Sequence, residues 1–358
     1  MNKEIYFTPG PSKLYPTVTG HVEKAFKDSV CSISHRGKIW EEIYEETTSG
    51  VRKILSVPEN WSIFFVGSAT EAMERSIQNT AEKRSVHIVC GAFGERMMKI
   101  AKALGKDTEE IKYCAKDYKN ILERVKKEKD VVCITHTETS DGVTMSDQEM
   151  QRIREQNPEA VIVLDVVSSV PTTPVPFSQV DCAFFSVQKG FGLPAGLGVL
   201  LVSKRALEKS KRIGIKKKYT GSFHSFQTMY EKTQKRQTTE TPNVLNIYLL
   251  GKVCQDMLSE GLETIRKKTE KKMTMIQEVV GKHHKMALAV EDETVRAKTV
   301  VVALTPEGST EIIEKMAKKG FVIGAGYGEQ KESRVRIANF SAHTEEDVKN
   351  LCKALKEV

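Results

Sequence analysis

Two stretches of the sequence decide its fold, AVIVLD (160–165) and CAFFSVQKGFGLPAGLGVLLVS (182–203). Both contain short apolar runs that are followed by polar or glycine residues, which is typical of buried strands. Asp165 ends the first stretch, and Lys189 comes just after the run CAFFSV, 24 positions (189 − 165) further along the chain. The pattern therefore predicts one strand that ends at a carboxylate and another that ends near a lysine.

Strand-like and helix-like patterns alternate between about residue 60 and residue 205. The strand-like runs are SIFFV, VHIVC, VVCIT, AVIVLD, CAFFSV and GVLLVS, with helical patterns such as SATEAMERSIQNTA between them. This alternation predicts an α/β fold with a mostly parallel sheet, which binds ligands at the carboxyl ends of its strands. Gly67, Phe93, Thr139, Asp165 and Lys189 all fall at or just past such ends.

A second unit follows a helical stretch at about 243–285. It contains the strand-like runs VVVAL and RVRIANF, the helical pattern STEIIEKMAKK, and a last helix that begins at Thr344 and Asp347. We predict a large domain at residues 15–245. A smaller α+β domain would combine residues 1–14 with residues 246–358.

The pair Lys189 and Asp165 predicts a pyridoxal-phosphate site. A lysine among glycines can form a Schiff base with an aldehyde beside a flat ring. A buried carboxylate suits the ring nitrogen, because without a cation it would take up a proton. Gln188, next to the lysine, can reach the cofactor phosphate. A single lysine beside glycine most often lies in a solvated loop, so the prediction depends on the spacing and the strand context.

Two further segments suit the same site. VGSATEA places Gly67, Ser68, Ala69 and Thr70 between a strand and a helix, where backbone N–H groups bind phosphate. An ordinary capped helix start would have the same pattern. Phe93, just after another strand, could stack on the cofactor ring or could be a core aromatic.

Arginines and a basic loop suggest an anionic substrate. Arg336, on the strand RVRIANF, is our preferred clamp for an α-carboxylate, and Arg334 lies on the same face of that strand. Either arginine could instead form a surface ion pair. His35 and Arg36, in the segment SHRGK (34–38), would bind the distal end of a substrate, unless this is simply a basic loop.

The composition narrows the possible functions. The formal charge is +8, and the stretch 204–218 contributes about +7, which indicates a solvated surface or a field for anionic substrates. We predict no nucleic-acid binding, because the stretch lacks aromatic residues and recognition motifs. No apolar run reaches the roughly 18–20 residues needed to span a membrane. The seven scattered cysteines predict a reduced, cytoplasmic protein without a metal site.

The sequence resembles the class V aminotransferases over nearly its whole length. The matching segments are TPGPS (8–12), SHRGK (34–38), ETSDG (138–142), QK (188–189) and ETPNV (240–244). The resemblance implies the aspartate-aminotransferase-like fold, with a mostly parallel seven-stranded sheet and a smaller C-terminal domain. It also implies a pyridoxal-phosphate enzyme that acts as a homodimer with shared active sites on small amino and keto acids.

The resemblance implies a role for each matching residue. Lys189 would bind the cofactor covalently, Asp165 would pair with its ring nitrogen, and Phe93 would stack on the ring. Thr139 would contact the ring oxygen, and Thr241 would reach the phosphate from a neighbouring subunit. Ser12, His35, Arg36 and Arg336 would bind the substrate.

Within this family the sequence is most similar to the phosphoserine branch, so the expected substrates are 3-phosphohydroxypyruvate and glutamate. A branch that acts on glyoxylate is the alternative. Where the phosphoserine branch has a His-Arg pair, this chain has Glu329 and Gln330, and Glu240 replaces an asparagine near the cofactor phosphate. Two other possibilities are less favoured: a lyase or desulfurase, for which only Cys352 is available, and a binding protein without activity.

Overall fold

The computed structural model describes residues 4–115, 124–125, 130–216 and 219–358, which contain fourteen strands. The strands are β1 (Ile5–Phe7), β2 (Ser62–Val66), β3 (Arg84–Val89), β4 (Asp107–Lys112), β5 (Val131–Thr135), β6 (Thr137–Glu138), β7 (Val143–Thr144), β8 (Val161–Asp165), β9 (Cys182–Ser186), β10 (Gly198–Val202), β11 (Ala287–Leu288), β12 (Val300–Leu304), β13 (Phe321–Ala325) and β14 (Arg334–Ala338).

Eleven α-helices surround these strands in the same part of the chain. They are α1 (Val18–Lys27), α2 (Lys38–Leu55), α3 (Ala69–Thr80), α4 (Ala92–Ala103), α5 (Asp147–Gln156), α6 (Lys204–Ile215), α7 (Phe226–Thr233), α8 (Val244–Glu260), α9 (Leu262–Gly281), α10 (Thr310–Lys318) and α11 (Glu345–Leu355). Helix α11 begins with the predicted cap, because Thr344 and Asp347 form reciprocal side-chain-to-backbone hydrogen bonds. Of the basic stretch 204–218, residues 217 and 218 lie outside the described residues.

The larger sheet has seven strands in the order β2-β10-β9-β8-β5-β3-β4. Strand β10 runs antiparallel to both of its neighbours, and the other strand pairs are parallel. The predicted α/β fold with a mostly parallel seven-stranded sheet is therefore confirmed. The edge strand β4 was not predicted, because its sequence DTEEIK contains a single buried apolar side chain, Ile111.

Both faces of this sheet are buried, which explains why its strands are continuous apolar runs. Along β8, for example, Ile162 and Leu164 belong to one apolar cluster, whereas Val161 and Val163 belong to another on the opposite face. Helices α2 and α8 pack against each other over the first cluster, and α3 and α4 contribute to the second. A sheet enclosed in this way is accessible to ligands only at the ends of its strands.

The smaller sheet has the order β1-β13-β14-β12-β11 and packs on a separate cluster that includes residues of α9, α10 and α11. Its strand β1 comes from the N-terminus and pairs in parallel with β13. The N-terminal residues therefore join the C-terminal sheet before the chain enters the large sheet. The domain boundaries at residues 15 and 245 remain a prediction.

The structure also bears on the predictions about cysteines, membrane-spanning helices and metal sites. Cys133, Cys182, Cys254 and Cys352 are buried, whereas Cys31 and Cys114 are exposed. None of the described helices is both long enough and apolar enough to cross a membrane. The described residues contain no group of three or more His, Cys, Asp or Glu side chains arranged to hold a metal ion.

Candidate active site

Lys189 lies in the turn that follows β9, and its side chain is buried. Its Nζ donates hydrogen bonds to Ser168 Oγ at 2.9 Å and to Thr139 Oγ1 at 3.4 Å. Gly10 covers the stem of this lysine, because a Cβ atom at Gly10 would lie 2.8 Å from Lys189 Cε. The φ angle of Gly10 is +117°, which also favours glycine. The segment TPGPS thus closes over the lysine.

The surroundings of Lys189 favour its neutral amine. Burial lowers the pKa of Lys189 to about 8, because the charged form loses its hydration, while the carboxylates of Asp165 and Glu138 act in the opposite direction. Arg336 and, more weakly, Arg96 lower the pKa of Lys189 further. A larger fraction of the amine is therefore available as a nucleophile or base near neutral pH than for an exposed lysine.

Asp165 is the last residue of β8 and is buried. Its Oδ1 accepts the Val167 N–H at 2.9 Å, and no salt bridge is formed by this carboxylate within the described residues. Burial raises the pKa of Asp165 to about 7, and the charge of Lys189 acts against this rise. A cation placed against the carboxylate would keep it ionised.

A cavity of about 440 Å³ opens at the carboxyl ends of the large sheet. The predicted site residues that line it are Ser68, Ala69, Thr70, Phe93, Thr139, Asp165, Gln188, Lys189 and Arg336. Gln188 and Lys189 reach this one cavity from a turn that follows β9. Thr8, Pro9 and Gly10 close the cavity from the N-terminal side.

One end of the cavity lies at the start of α3, where an anion could bind. Ser68 caps this helix, since its Oγ accepts the Glu71 N–H at 3.1 Å, and the next residues Ala69 and Thr70 line the cavity. The first N–H groups of a helix attract a phosphate. Gly198 permits the close packing here, because a Cβ atom at that position would lie 2.5 Å from the backbone carbon of Ser68.

The carboxylate of Glu240, which replaces an asparagine of the phosphoserine branch, is paired with a histidine. It lies 3.2 Å from His224 Nε2, and the other ring nitrogen of His224 lies 2.7 Å from Glu71 Oε1. The two carboxylates raise the pKa of this buried histidine to about 9, in spite of the desolvation that lowers it. The histidine therefore carries a positive charge between two negative ones, beside the first turn of α3.

Glu138 fixes the position of Phe93. Its Oε2 accepts the N–H groups of Phe93 and Gly94, each at 3.1 Å, at the start of α4. Its Oε1 accepts both the N–H and the hydroxyl of Ser140. The Phe93 ring lies with its centroid 5.0 Å from Lys189 Nζ, where it could stack on a ring bound to the lysine.

The structure distinguishes between the two arginines of β14. Arg334 forms a salt bridge of 2.8 Å with Asp141. Arg336 lines the cavity, and its Nε donates to the Ala325 carbonyl at 2.7 Å, so its terminal nitrogens point to no carboxylate among the described residues. Arg336 is therefore the better candidate for a substrate carboxylate.

Several residues that line the cavity were not predicted from the sequence, and Arg96 and Tyr327 are two of them. Arg96, one turn after Phe93 on α4, lines the cavity and donates from Nη2 to the Tyr327 hydroxyl at 2.6 Å. Tyr327 lies between β13 and β14 and packs on Phe93, with ring centroids 5.5 Å apart. The spacing of Phe93 and Arg96 on a helix was the available signal, since residues three apart lie on one face.

Five predicted site residues do not line this cavity: Gly67, Ser12, His35, Arg36 and Thr241. Gly67 N–H donates to Glu71 Oε2 at 2.8 Å, and Ser12 N–H donates to the Gln188 carbonyl at 3.3 Å. His35 and Arg36 lie on the protein surface beside each other, with Arg36 Nε 3.4 Å from His35 Nε2. A second subunit would have to bring His35, Arg36 and Thr241 to the cavity.

The residues present fit pyridoxal phosphate. The Asp165 carboxylate lacks a cation, and the buried Thr135 Oγ1, which also lines the cavity, has no hydrogen-bond partner in the described structure. A protonated ring nitrogen would supply the missing cation, and Phe93 would cover one ring face. The start of α3 would hold the phosphate, and Lys189 would bind the aldehyde.

Comparisons with known proteins also indicate an aminotransferase. The sequence profile of the family Aminotransferase class-V matches residues 5–351. A crystal structure of a phosphoserine aminotransferase from Cytophaga hutchinsonii is similar, with a TM-score of 0.94 and 41% identity, and the match covers 100% of this chain and 99% of that chain.

Two curated relatives are similar at lower identity. A phosphoserine aminotransferase from Corynebacterium glutamicum is 24% identical, over 98% of this chain and 93% of the relative. A protein from a Synechococcus species that is named the small subunit of a soluble hydrogenase is 28% identical, over 100% of this chain and 93% of the relative.

Replacement of His224 by Gln should destabilise the protein in a pH-dependent way. The pKa of His224 in the folded protein lies above its ordinary value, so its contribution is complete below about pH 6.5 and is lost as the pH rises through about 9. We expect the variant to lose about 1–3 kcal/mol of the free energy of unfolding near pH 6 and much less near pH 10, measured by urea unfolding.

His284→Gln is the matched control, because His284 is exposed and should give little change at either pH. An equal loss for His224→Gln at both pH values would contradict a charged His224.

Proposed function

Because the chain belongs to the class-V aminotransferase family, whose members use pyridoxal phosphate, we propose that it is a phosphoserine aminotransferase. It would convert 3-phosphohydroxypyruvate and L-glutamate into O-phospho-L-serine and 2-oxoglutarate, a step of serine biosynthesis. The observation that carries this substrate assignment is the 41% identity, over the whole chain, with the phosphoserine aminotransferase of Cytophaga hutchinsonii.

Bound pyridoxal phosphate supplies an aldehyde that condenses with amines and a ring that accepts electrons from the substrate Cα. Asp165 would keep the ring nitrogen protonated, because its buried carboxylate is stabilised as an anion only beside a cation. Lys189 would hold the cofactor first. Its Nζ, freed by the incoming amino acid, would then take the proton from Cα and return it to the carbon of the former aldehyde.

The other residues of the cavity would bind and orient. Arg336 would form two parallel hydrogen bonds with the α-carboxylate, since its terminal nitrogens have no carboxylate partner among the described residues. Thr139 and Ser168, which hydrogen-bond Lys189 Nζ, would keep the amine aimed at the reacting carbon. Phe93 would cover the ring and exclude water from one face.

A glyoxylate-specific transaminase is the second candidate, and one observation favours it. Glu329 and Gln330 stand where the phosphoserine branch has its His-Arg pair, and Glu329 is exposed at the rim of an outer cleft beside the cavity. A carboxylate at this place opposes a phosphate. The surface pair His35 and Arg36 would offset this if a partner subunit brought it to the cavity.

We also propose that the protein is a homodimer that acts in the cytoplasm. His35, Arg36 and Thr241 lie outside the cavity of their own chain, and the resemblance gives them roles in an active site. Large apolar side chains are exposed on the same protomer, among them Phe26 (62%) and Ile39 (59%). A second copy would bury such side chains and complete both cavities.

Substitutions should distinguish the role of Lys189 from that of Asp165. Lys189→Ala should lower turnover by at least about 10³-fold and remove the visible absorbance of covalently bound cofactor. Asp165→Asn keeps the shape but cannot hold a cation, so it should retain the cofactor and lose about 10²–10⁴-fold in kcat. Turnover and the cofactor spectrum should be measured for both purified variants. A Lys189→Ala variant that kept both would overturn the assignment.

Single amino donors should identify the substrate. O-phosphoserine, serine, alanine and glutamate are added separately to the cofactor-loaded protein, and the conversion of the cofactor to its amine form is followed by absorbance. Rapid conversion with O-phosphoserine and glutamate, but not with serine or alanine, is the expected result. Conversion by serine or alanine with O-phosphoserine inert would instead establish the glyoxylate-type enzyme.

Subunit mixing should test the shared site. Lys189→Ala dimers and Arg36→Gln dimers should each have little activity with O-phosphoserine, since each lacks one half of the site. After exchange of subunits, each mixed dimer has one cavity with both residues intact and should have roughly half the activity of an unmutated dimer. Since about half of the dimers in an equal mixture are mixed, the mixture should recover roughly a quarter of the unmutated activity. If Arg36 acted within its own chain, neither cavity would be complete and no activity would return.

A further inference from the structure

We propose that Arg96 and Tyr327 form a binding subsite for the distal anion of a substrate that carries two negative groups, while Arg336 binds the α-carboxylate. This inference rests on the proposed function and deepens it. It adds two residues of the chain that carries Lys189 to the selection of charged over uncharged side chains, beside His35 and Arg36 of a second subunit. Neither of the two belongs to the motifs that carry the family resemblance.

Arg96 lies where the distal end of a substrate would be. It lines the inner cavity that contains Lys189, and it also lines the adjoining outer cleft with Glu95, Lys99 and Lys112. Its guanidinium carbon lies 5.5 Å from the centroid of the Phe93 ring. Arg96 is therefore at the junction of the two spaces, beside the aromatic ring that would cover the cofactor.

Arg96 has unused capacity to bind an anion. Within the described residues its guanidinium forms no salt bridge, and Nη2 donates a hydrogen bond to the neutral Tyr327 hydroxyl. Two carboxylates of the outer cleft are engaged with other cations, since Asp141 pairs with Arg334 and Glu95 lies 3.5 Å from Lys99. A half-buried guanidinium without a counter-ion is stabilised by an anionic ligand.

The two cavity arginines line different spaces. Arg336 lines the inner cavity that contains Lys189 and does not line the outer cleft, whereas Arg96 lines both. The α-carboxylate is attached to the carbon that reacts with Lys189, so it belongs with Arg336. The second anion of the substrate, two or three bonds further out, then falls to Arg96.

Tyr327 connects the two arginines. Its hydroxyl accepts from Arg96 Nη2, so its own O–H remains available as a donor to the same anion. The guanidinium carbon of Arg336 lies 5.5 Å from the centroid of the Tyr327 ring, and the ring also packs on Phe93. Tyr327 would therefore fix the relative positions of the two anion sites, which sets the length of substrate that can bridge them.

One nearby charge acts against the proposal. Glu329, two residues after Tyr327, lines the outer cleft and would repel an anion there. It is exposed, however, so its field is screened by solvent and salt, whereas Arg96 is half-buried. The balance at the junction therefore favours an anion. Both a phosphate ester and a carboxylate have the required charge.

The test compares Arg96→Gln with Lys102→Gln, which removes the same charge from an exposed position on the same helix. The quantity measured with cofactor-loaded protein is kcat/KM for O-phosphoserine and glutamate, and for the much slower reactions of serine and alanine. Arg96→Gln should lose roughly 10- to 150-fold for O-phosphoserine and glutamate, as expected for a lost hydrogen bond to a charged group, and little for serine and alanine. Lys102→Gln should behave like the unmutated protein.

A binding measurement gives a second readout that does not depend on turnover. The dissociation constants of maleate, which has two carboxylates, and of acetate, which has one, are measured from the cofactor absorbance. Arg96→Gln should raise the dissociation constant of maleate by a similar factor and leave that of acetate unchanged. Tyr327→Phe removes a single oxygen and should raise the dissociation constant of maleate by a smaller factor. This variant provides the test if Arg96→Gln does not fold.

The outcomes separate this proposal from the function on which it rests. Loss with O-phosphoserine alone, with glutamate alone or with both supports the subsite and identifies the anion as phosphate, carboxylate or either. An equal loss for all four amino acids, or no loss for any, overturns the subsite and leaves the enzyme a phosphoserine aminotransferase. If the unmutated protein converts serine or alanine and not O-phosphoserine, the substrate assignment fails instead.

Discussion

The burial of two opposite charges, Lys189 and Asp165, is the constraint on which the rest of the structure depends. Burial pushes both groups toward their neutral forms, since it lowers the pKa of the lysine and raises that of the aspartate. Both residues lie at or just past strand ends, where a cavity can admit a ligand. A cationic ring and an aldehyde bound there would compensate for the burial of the carboxylate and the amine. Both side chains are buried, and charges interact more strongly in a buried site than in water, so the two groups respond strongly to a ligand.

The N-terminus shows how the fold serves that pair. Strand β1 belongs to the smaller sheet, and the turn after it places Gly10 directly against the Lys189 stem. The same region is fastened to the C-terminal helix, because Lys13 forms a salt bridge with Asp347, the residue that caps α11. The smaller sheet and the turn after β1 therefore supply one wall of a cavity whose reactive groups Lys189 and Asp165 follow strands of the large sheet.

The strands and the residues at their ends could be predicted from the periodicity of apolar residues in the sequence. The direction in which a helix side chain points could not. The six apolar runs gave six strands of the large sheet, and Asp165 and Lys189 lie at strand ends as expected. Strand β4 was missed because an edge strand with exposed faces needs no apolar run. Arg96 was missed because an arginine on an amphipathic helix usually faces solvent. Only the packing of α4 against β3 shows that it faces the cavity.

The charges of the cavity explain why an anionic cofactor and an anionic substrate belong there together. Three basic side chains line the cavity, Lys189, Arg96 and Arg336, and Asp165 is the acidic side chain among the described residues that line it. Glu138 lies outside this lining, where its carboxyl group accepts four hydrogen bonds from Phe93, Gly94 and Ser140 and burial raises its pKa. Asp165 would be balanced by a ring nitrogen. The arginines then retain an excess of positive charge, and the substrate that satisfies both of them is one with an anion at each end.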